Sequence, residues 1–156
     1  MDLWQEMERI KQLKARYFRT LDTNDWAGFA ACLTLDCKAR YQGGKLSLDG
    51  RDEITAFMQR HMSADTLLSM HNGHHPEISV ETGGTHASGI WYLQDTIIDL
   101  KRRTQLTGGA IYTDAYRKEG GEWLISSTGY HRTFECVEPL HEQHRVLQNM
   151  FQPRKL

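Results

Sequence analysis

Apolar residues recur every three or four positions through the first third of the chain and at alternate positions through the second half, which predicts an α+β domain. Glycine pairs at Gly83-Gly84 and Gly120-Gly121 break the second half into strand-sized pieces. The 156 residues suit a single domain. A chain of this length buries roughly 70% of its unfolded surface, enough for a core and a pocket.

The first helix is predicted from Leu3, Met7, Ile10, Leu13, Tyr17 and Leu21, which form one apolar stripe ending at Asp22. Thr23, Asn24 and Asp25 then precede Trp26, a helix-start signal with Asp25 as the better cap. Gly28 weakens this second helix, so it should be short. Gly43-Gly44 separates two short strand-like runs and suggests a hairpin. Ile54, Phe57, Met58, His61 and Met62 carry the period of a third helix.

Four long strands follow from about Ser69 to Glu135, parted by Gly83-Gly84, the polar run from Lys101 to Thr104, and Gly120-Gly121. Trp91, Leu93 and Ile97 alternate on one face, with Tyr92 and Ile98 on the other. Such spans exceed the usual five or six residues, so the sheet is expected to twist or curl. Gly108-Gly109 falls inside a strand, which points to a bulge, a bend or a close backbone approach. Both sheet faces carry large apolar groups, so helices should cover one and a second subunit could cover the other. A curled sheet wrapped on a helix leaves a pocket for a small apolar molecule. Residues 1–136 read as the domain and 137–156, with Pro139 and Pro153, as an irregular C-terminal tail.

Lys+Arg 19 against Asp+Glu 20 gives a net charge of -1, which argues against nucleic-acid binding through bulk positive charge. No apolar run approaches the roughly 20 residues of a membrane helix, and MDLWQEMERI does not read as a signal peptide. Cys32, Cys37 and Cys136 lack metal or redox spacing, so a reducing cytoplasm is the simplest location. Phosphate-loop, dinucleotide and serine-elbow motifs are absent, and no covalent nucleophile is implied.

Several polar residues stand where the pattern expects apolar ones. Tyr17 lies on the first helix stripe, either as a core tyrosine with a satisfied hydroxyl or as a phenol donor facing the pocket. Asp22 is not needed as a cap, yet it stands about 140° from Tyr17 on an ideal helix, so the two converge only if Asp22 turns back. In SMHNGHHPEI, His71 and His74 would face opposite sides of a regular strand. His71 and His75 would share a side about 13 Å apart, so neither pair chelates a metal. A lone pocket histidine remains, suited to acid–base work near neutral pH. Asp95, in the otherwise apolar WYLQDTII, should meet water, a cation or a donor, and Arg132 is a candidate partner. Asp114 reads as outer-face or structural. His61, His86, His131, His141 and His144 read as surface or tail residues.

LKARYFRTLD (13–22), SMHNGHHPEISV (69–80), GIWYLQD (89–95), GGAIYTDAYRKEGGEW (108–123) and STGYHRTFE (127–135) resemble the SnoaL-like branch of the nuclear-transport-factor-2-like superfamily. That superfamily includes polyketide cyclases, scytalone dehydratase and steroid isomerase. Within it, the chain looks most like the bacterial bile-acid 7-alpha-dehydratases. The resemblance implies a cone-shaped α+β barrel with N-terminal helices on a strongly curved, mainly antiparallel sheet. It implies no metal and no organic cofactor, and a homo-oligomer, often a trimer. It places a catalytic set on Tyr17, Asp22, His71, Asp95 and Arg132. The expected chemistry is loss of water from a hydroxylated, carbonyl-activated steroid-like or polycyclic substrate. An isomerase or cyclase on the same scaffold, or a non-catalytic binding module, are the alternatives.

Overall fold

The computed structural model describes residues 2–152. The first helix, α1 (Leu3–Asp22), is capped by Asp2, whose carboxylate accepts from the Trp4 amide at 3.0 Å. Four of its six stripe residues, Ile10, Leu13, Tyr17 and Leu21, are buried; Met7 is partly buried and Leu3, at the helix start, is exposed. Burying an aliphatic side chain of this kind stabilises the fold by about 1.5–3 kcal/mol. The Thr23 hydroxyl donates to the Arg19 carbonyl at 2.8 Å, and Asn24 takes a left-handed φ of 58°, which ends the helix. Asp25 then caps α2 (Trp26–Ala30) by accepting from the Gly28 amide at 2.9 Å. Gly28 is required there, because a Cβ would stand 2.3 Å from Asp25 Oδ2.

Strand β1 (Leu33–Tyr41) and β2 (Leu46–Asp49) form the expected hairpin around Gly43-Gly44, followed by α3 (Arg51–Met62). The long strands are β3 (Leu67–Val80), β4 (His86–Asp99), β5 (Thr104–Glu119) and β6 (Glu122–Pro139). They form one six-stranded sheet in the order β2-β1-β6-β5-β4-β3. Every neighbouring pair is antiparallel except β1 with β6. Helix α1 lies against β3 and α3 against β1, so the helices cover the inner face of a curved, cone-like sheet.

Alternation on β4 follows the sequence: Trp91, Leu93 and Asp95 are buried inside, and Tyr92 is exposed outside. Gly108-Gly109 shows two of the three expected features. A register shift lies between Gly109 and Ala110, and a Cβ on Gly108 would meet Arg132 Nη1 at 2.5 Å. Strand β6 runs on to Pro139, beyond the expected strand end. Residues 140–152 carry no helix or strand, and Pro153 lies outside the described residues. Among the described residues, no helix is long and apolar enough to cross a membrane.

One expectation is narrowed and one corrected. Of the two readings of Asp114 the structural one holds: it is buried on the inner face, 2% exposed, and 2.7 Å from Lys14 Nζ. His75 does not share a side with His71. The register shifts between His74 and Glu77, and His75 has a φ of 47°, which breaks the strand alternation. His75 instead lies with His74 and Tyr92 along an outer hollow, its ring edge-on to Tyr92.

Candidate active site

Asp22 is the last residue of α1 and does not turn back toward Tyr17. It faces β3 on the helix side shared with Lys14 and Phe18. His71 and Ser69 alternate inward on β3 and reach it there. Asp22 Oδ1 lies 2.6 Å from His71 Nδ1 and accepts from the Ser69 hydroxyl at 2.7 Å. Asp22 Oδ2 accepts from the His71 backbone amide at 2.8 Å. Burial pushes the Asp22 carboxyl up, but the His71 ring, the His71 amide and the Ser69 hydroxyl together hold it below its ordinary value. An ionised carboxylate only accepts, so Nδ1 carries the proton, and in the neutral ring Nε2 is the nitrogen with the lone pair.

Asp95 stands directly opposite His71 across the β3–β4 ladder. Its two oxygens accept from Arg132 Nη1 at 2.6 Å and Nη2 at 2.8 Å, a bidentate pair. The pair crosses over Gly108, which Asp95 faces on β5. Asp95 is 1% exposed, so the arginine is its necessary counter-charge. Burial lowers the Arg132 pKa, but Asp95 outweighs it and the net shift is upward.

Tyr17 sits apart from both pairs. It is fully buried, and its hydroxyl lies 3.0 Å from that of Tyr41 at the end of β1. Burial and the neighbouring Tyr41 push its pKa well up, so it is a proton donor and not a phenolate. The five residues singled out in the sequence therefore form two contacting pairs, joined by strand register, and one buried phenol.

A cavity of about 620 Å³ opens between α1 and β3, lined by Lys14, Phe18, Arg19, Asp22, His71 and Trp91 among others. Tyr17, Asp95 and Arg132 do not line it. A second cavity of about 360 Å³ lies between Asp22 and Ser69 on one side and Gln148, Asn149, Met150 and Phe151 on the other. Asn149 Nδ2 ties this part of the tail down by donating to the Asp65 carbonyl at 2.7 Å. Among the described residues, no three His, Cys, Asp or Glu side chains are placed to hold a metal ion.

Sequence reasoning missed Ser69, Tyr41 and Lys14. A serine two residues before His71 on a strand shares its side, so Ser69 was findable from period alone. Tyr41 had no such signal.

A model of the SnoaL-like domain matches residues 4–129. The chain belongs to the SnoaL-like family. Among solved structures, a proposed scytalone dehydratase from Novosphingobium aromaticivorans is similar with a TM-score of 0.79 at 20% identity, over 92% of this chain and 96% of that one. The hexachlorocyclohexane dehydrochlorinase LinA-type3 from Novosphingobium barchaimii gives 0.78 at 16% identity, over 93% and 97%. ActVI-ORFA from Streptomyces coelicolor gives 0.69 at 20% identity, over 85% and 98%. At these identities the likeness carries the fold, which is the SnoaL-like cone.

Proposed function

We propose that this SnoaL-like protein is a cofactor-independent dehydratase acting on a hydroxylated, carbonyl-activated substrate of steroid-like or polycyclic shape. One observation carries the proposal: Asp22 and His71 form a carboxylate–imidazole pair at 2.6 Å on the wall of a cavity. A non-catalytic binding module has no need of this pairing. The names of two similar structures, a dehydratase and a dehydrochlorinase, both describe eliminations and support the same reaction class.

In this mechanism His71 Nε2 removes a proton from a carbon that is acidified by the carbonyl, directly or through a conjugated double bond, and that neighbours the carbon bearing the hydroxyl. The electron pair moves, through that double bond where there is one, onto the carbonyl oxygen as an enolate or dienolate. As the enolate collapses, the carbon–oxygen bond of the leaving hydroxyl breaks, a carbon–carbon double bond forms, and the His71 imidazolium returns its proton to that hydroxyl, which departs as water. Asp22 fixes the tautomer and stabilises the imidazolium. Tyr17 and Tyr41, whose hydroxyls lie 3.0 Å apart behind the cavity wall, support that wall without touching the substrate. Asp95, held by Arg132, stands opposite His71 on the β3–β4 ladder and positions the strand that carries the base. Bile acids oxidised to the 3-oxo-4-ene and retaining a 7-hydroxyl are the first substrates to try.

Incubation with 3-oxo-4-ene steroids bearing a 7-hydroxyl tests this. Loss of one water with a longer-wavelength chromophore is the expected result. Product of unchanged mass would favour the isomerase or cyclase alternative.

We also propose a homo-oligomer, a trimer by preference, in a cytoplasmic setting. Tyr92 and Phe134 are exposed and line a hollow of about 560 Å³ on the outer sheet face, and Ile90 is exposed two residues before Tyr92 on β4; a second copy would cover them. Light scattering of Tyr92→Arg against the unchanged protein tests this. A lone protomer in both would reject it.

A further inference from the structure

We propose that Lys14, anchored by Asp114, is a positioning residue whose ammonium fixes the Tyr17 and Phe18 rings and, through Phe18, the face of the His71 imidazole. This rests on the acid–base reading of His71 given above. Lys14 Nζ lies 2.7 Å from Asp114 Oδ2, with the two side chains 1% and 0% exposed. The ammonium stands 3.7 Å from the Tyr112 ring centroid, 4.7 Å from that of Tyr17 and 4.9 Å from that of Phe18. A cation among three aromatic faces is attracted to each and favours their orientation toward it.

Phe18 transmits that orientation. Its ring is parallel to the His71 ring, with 1° between planes and 6.1 Å between centroids. It rests on Gly73, where a Cβ would come within 2.5 Å of the ring. Tyr17 meets Phe18 edge-on at 5.5 Å. The anchor itself cannot drift. Asp114 accepts from the Thr128 hydroxyl on β6 at 2.7 Å and from the Tyr116 hydroxyl at 2.9 Å. Tyr116 in turn accepts from Trp91 Nε1 on β4 at 2.8 Å.

Stability does not explain this arrangement. Desolvation offsets most of what a buried ion pair gains, and well-packed apolar replacements are often neutral or stabilising. Burial draws the Lys14 pKa down while Asp114 opposes it. The other titratable groups around the ammonium are Tyr17, Tyr112 and the Cys32 and Cys37 thiols.

The test is the double variant Lys14→Met/Asp114→Asn, which leaves no unpaired charge inside. Three quantities are followed: melting temperature, kcat and KM separately, and the His71 imidazole titration by nitrogen-resolved NMR. The proposal expects a melting temperature within a few degrees of the unchanged protein. It expects kcat about tenfold lower or more, KM within about threefold, and the His71 titration moved by about half a unit or more. An unmoved His71 titration with unchanged kcat overturns it, as does a kcat loss that only tracks the unfolded fraction. The NMR readout needs no substrate, so it stands even if the dehydratase reading fails by giving no turnover. If the double variant does not fold, Phe18→Leu removes the ring that links Lys14 to His71. It should give the same kcat loss and titration shift, and their absence overturns the proposal.

Discussion

Asp22 grips His71 twice: one carboxylate oxygen lies 2.6 Å from the ring Nδ1 and the other accepts the backbone amide of the same residue at 2.8 Å. The last residue of a helix is thereby tied to one rung of an edge strand. The imidazole cannot rotate or change tautomer without breaking a charged hydrogen bond.

Asp22→Asn should keep the fold and lose the chemistry. The amide can donate to Nδ1, which would move the proton to Nε2 and remove the base. A loss of about 10⁴ in kcat is expected by analogy with other carboxylate–histidine pairs. Steady-state kinetics against a melting curve checks this.

The same carboxylate sets an acid limb of stability. Because the folded pKa of Asp22 is depressed, its stabilisation is complete above the unfolded value of about 3.9 and is lost as pH falls through the folded pKa. Urea unfolding from pH 6 to pH 3 should show the advantage of the unchanged protein over Asp22→Asn holding flat to about pH 4 and shrinking below it. An advantage that grew with acid would be the wrong sign.

Arg132→Met should destabilise by about 3 kcal/mol, because Asp95 would remain buried without its counter-charge. Adding Asp95→Asn should recover a good part of that. Denaturant titration of both variants and the pair gives the coupling directly.

Gly108→Ala separates site geometry from stability. The new Cβ would fall 2.5 Å from Arg132 Nη1 and 3.0 Å from Asp95 Oδ1, so the ion pair has to shift. Those atoms are side-chain ends, so a loss of only about 1–2 kcal/mol in stability is expected. Turnover should fall at least about tenfold, since misplacement of about 1 Å can cost far more than that.

Tyr41→Phe should be costlier than its size suggests. It removes the hydroxyl that lies 3.0 Å from that of the fully buried Tyr17, a loss of about 1–3 kcal/mol. Tyr17→Phe/Tyr41→Phe should be closer to neutral in stability and keep most of kcat, since Tyr17 does not line the cavity. A kcat loss of about tenfold or more at an unchanged melting temperature would instead give Tyr17 a direct part in the chemistry.

Local periodicity made much of this molecule legible. The stripe from Leu3 to Leu21 wrote α1, and alternation around Trp91 and Leu93 told the inner face of β4 from the outer. Asp95 stood out because an apolar strand has no use for a carboxylate without a partner. Other features depended on contacts between distant segments. The parallel pairing of β1 with β6 leaves no local mark, so the approach of Tyr41 to Tyr17 was invisible. Lys14 sits at the margin of an apolar stripe, where a lysine ordinarily runs its stem along the core and keeps its head in water. Only the fold brings Asp114 to meet it. His75 was assigned to the wrong side because one left-handed residue undoes strand alternation.

Turnover of a 7-hydroxylated 3-oxo-4-ene steroid panel by the unchanged protein and by His71→Ala, each with its melting temperature, tests the central claim most directly. The account predicts loss of one water from at least one steroid, a fall of about 10³-fold or more in His71→Ala, and melting temperatures within a few degrees. Water loss that survives His71→Ala, or activity and melting temperature that fall together, would contradict it.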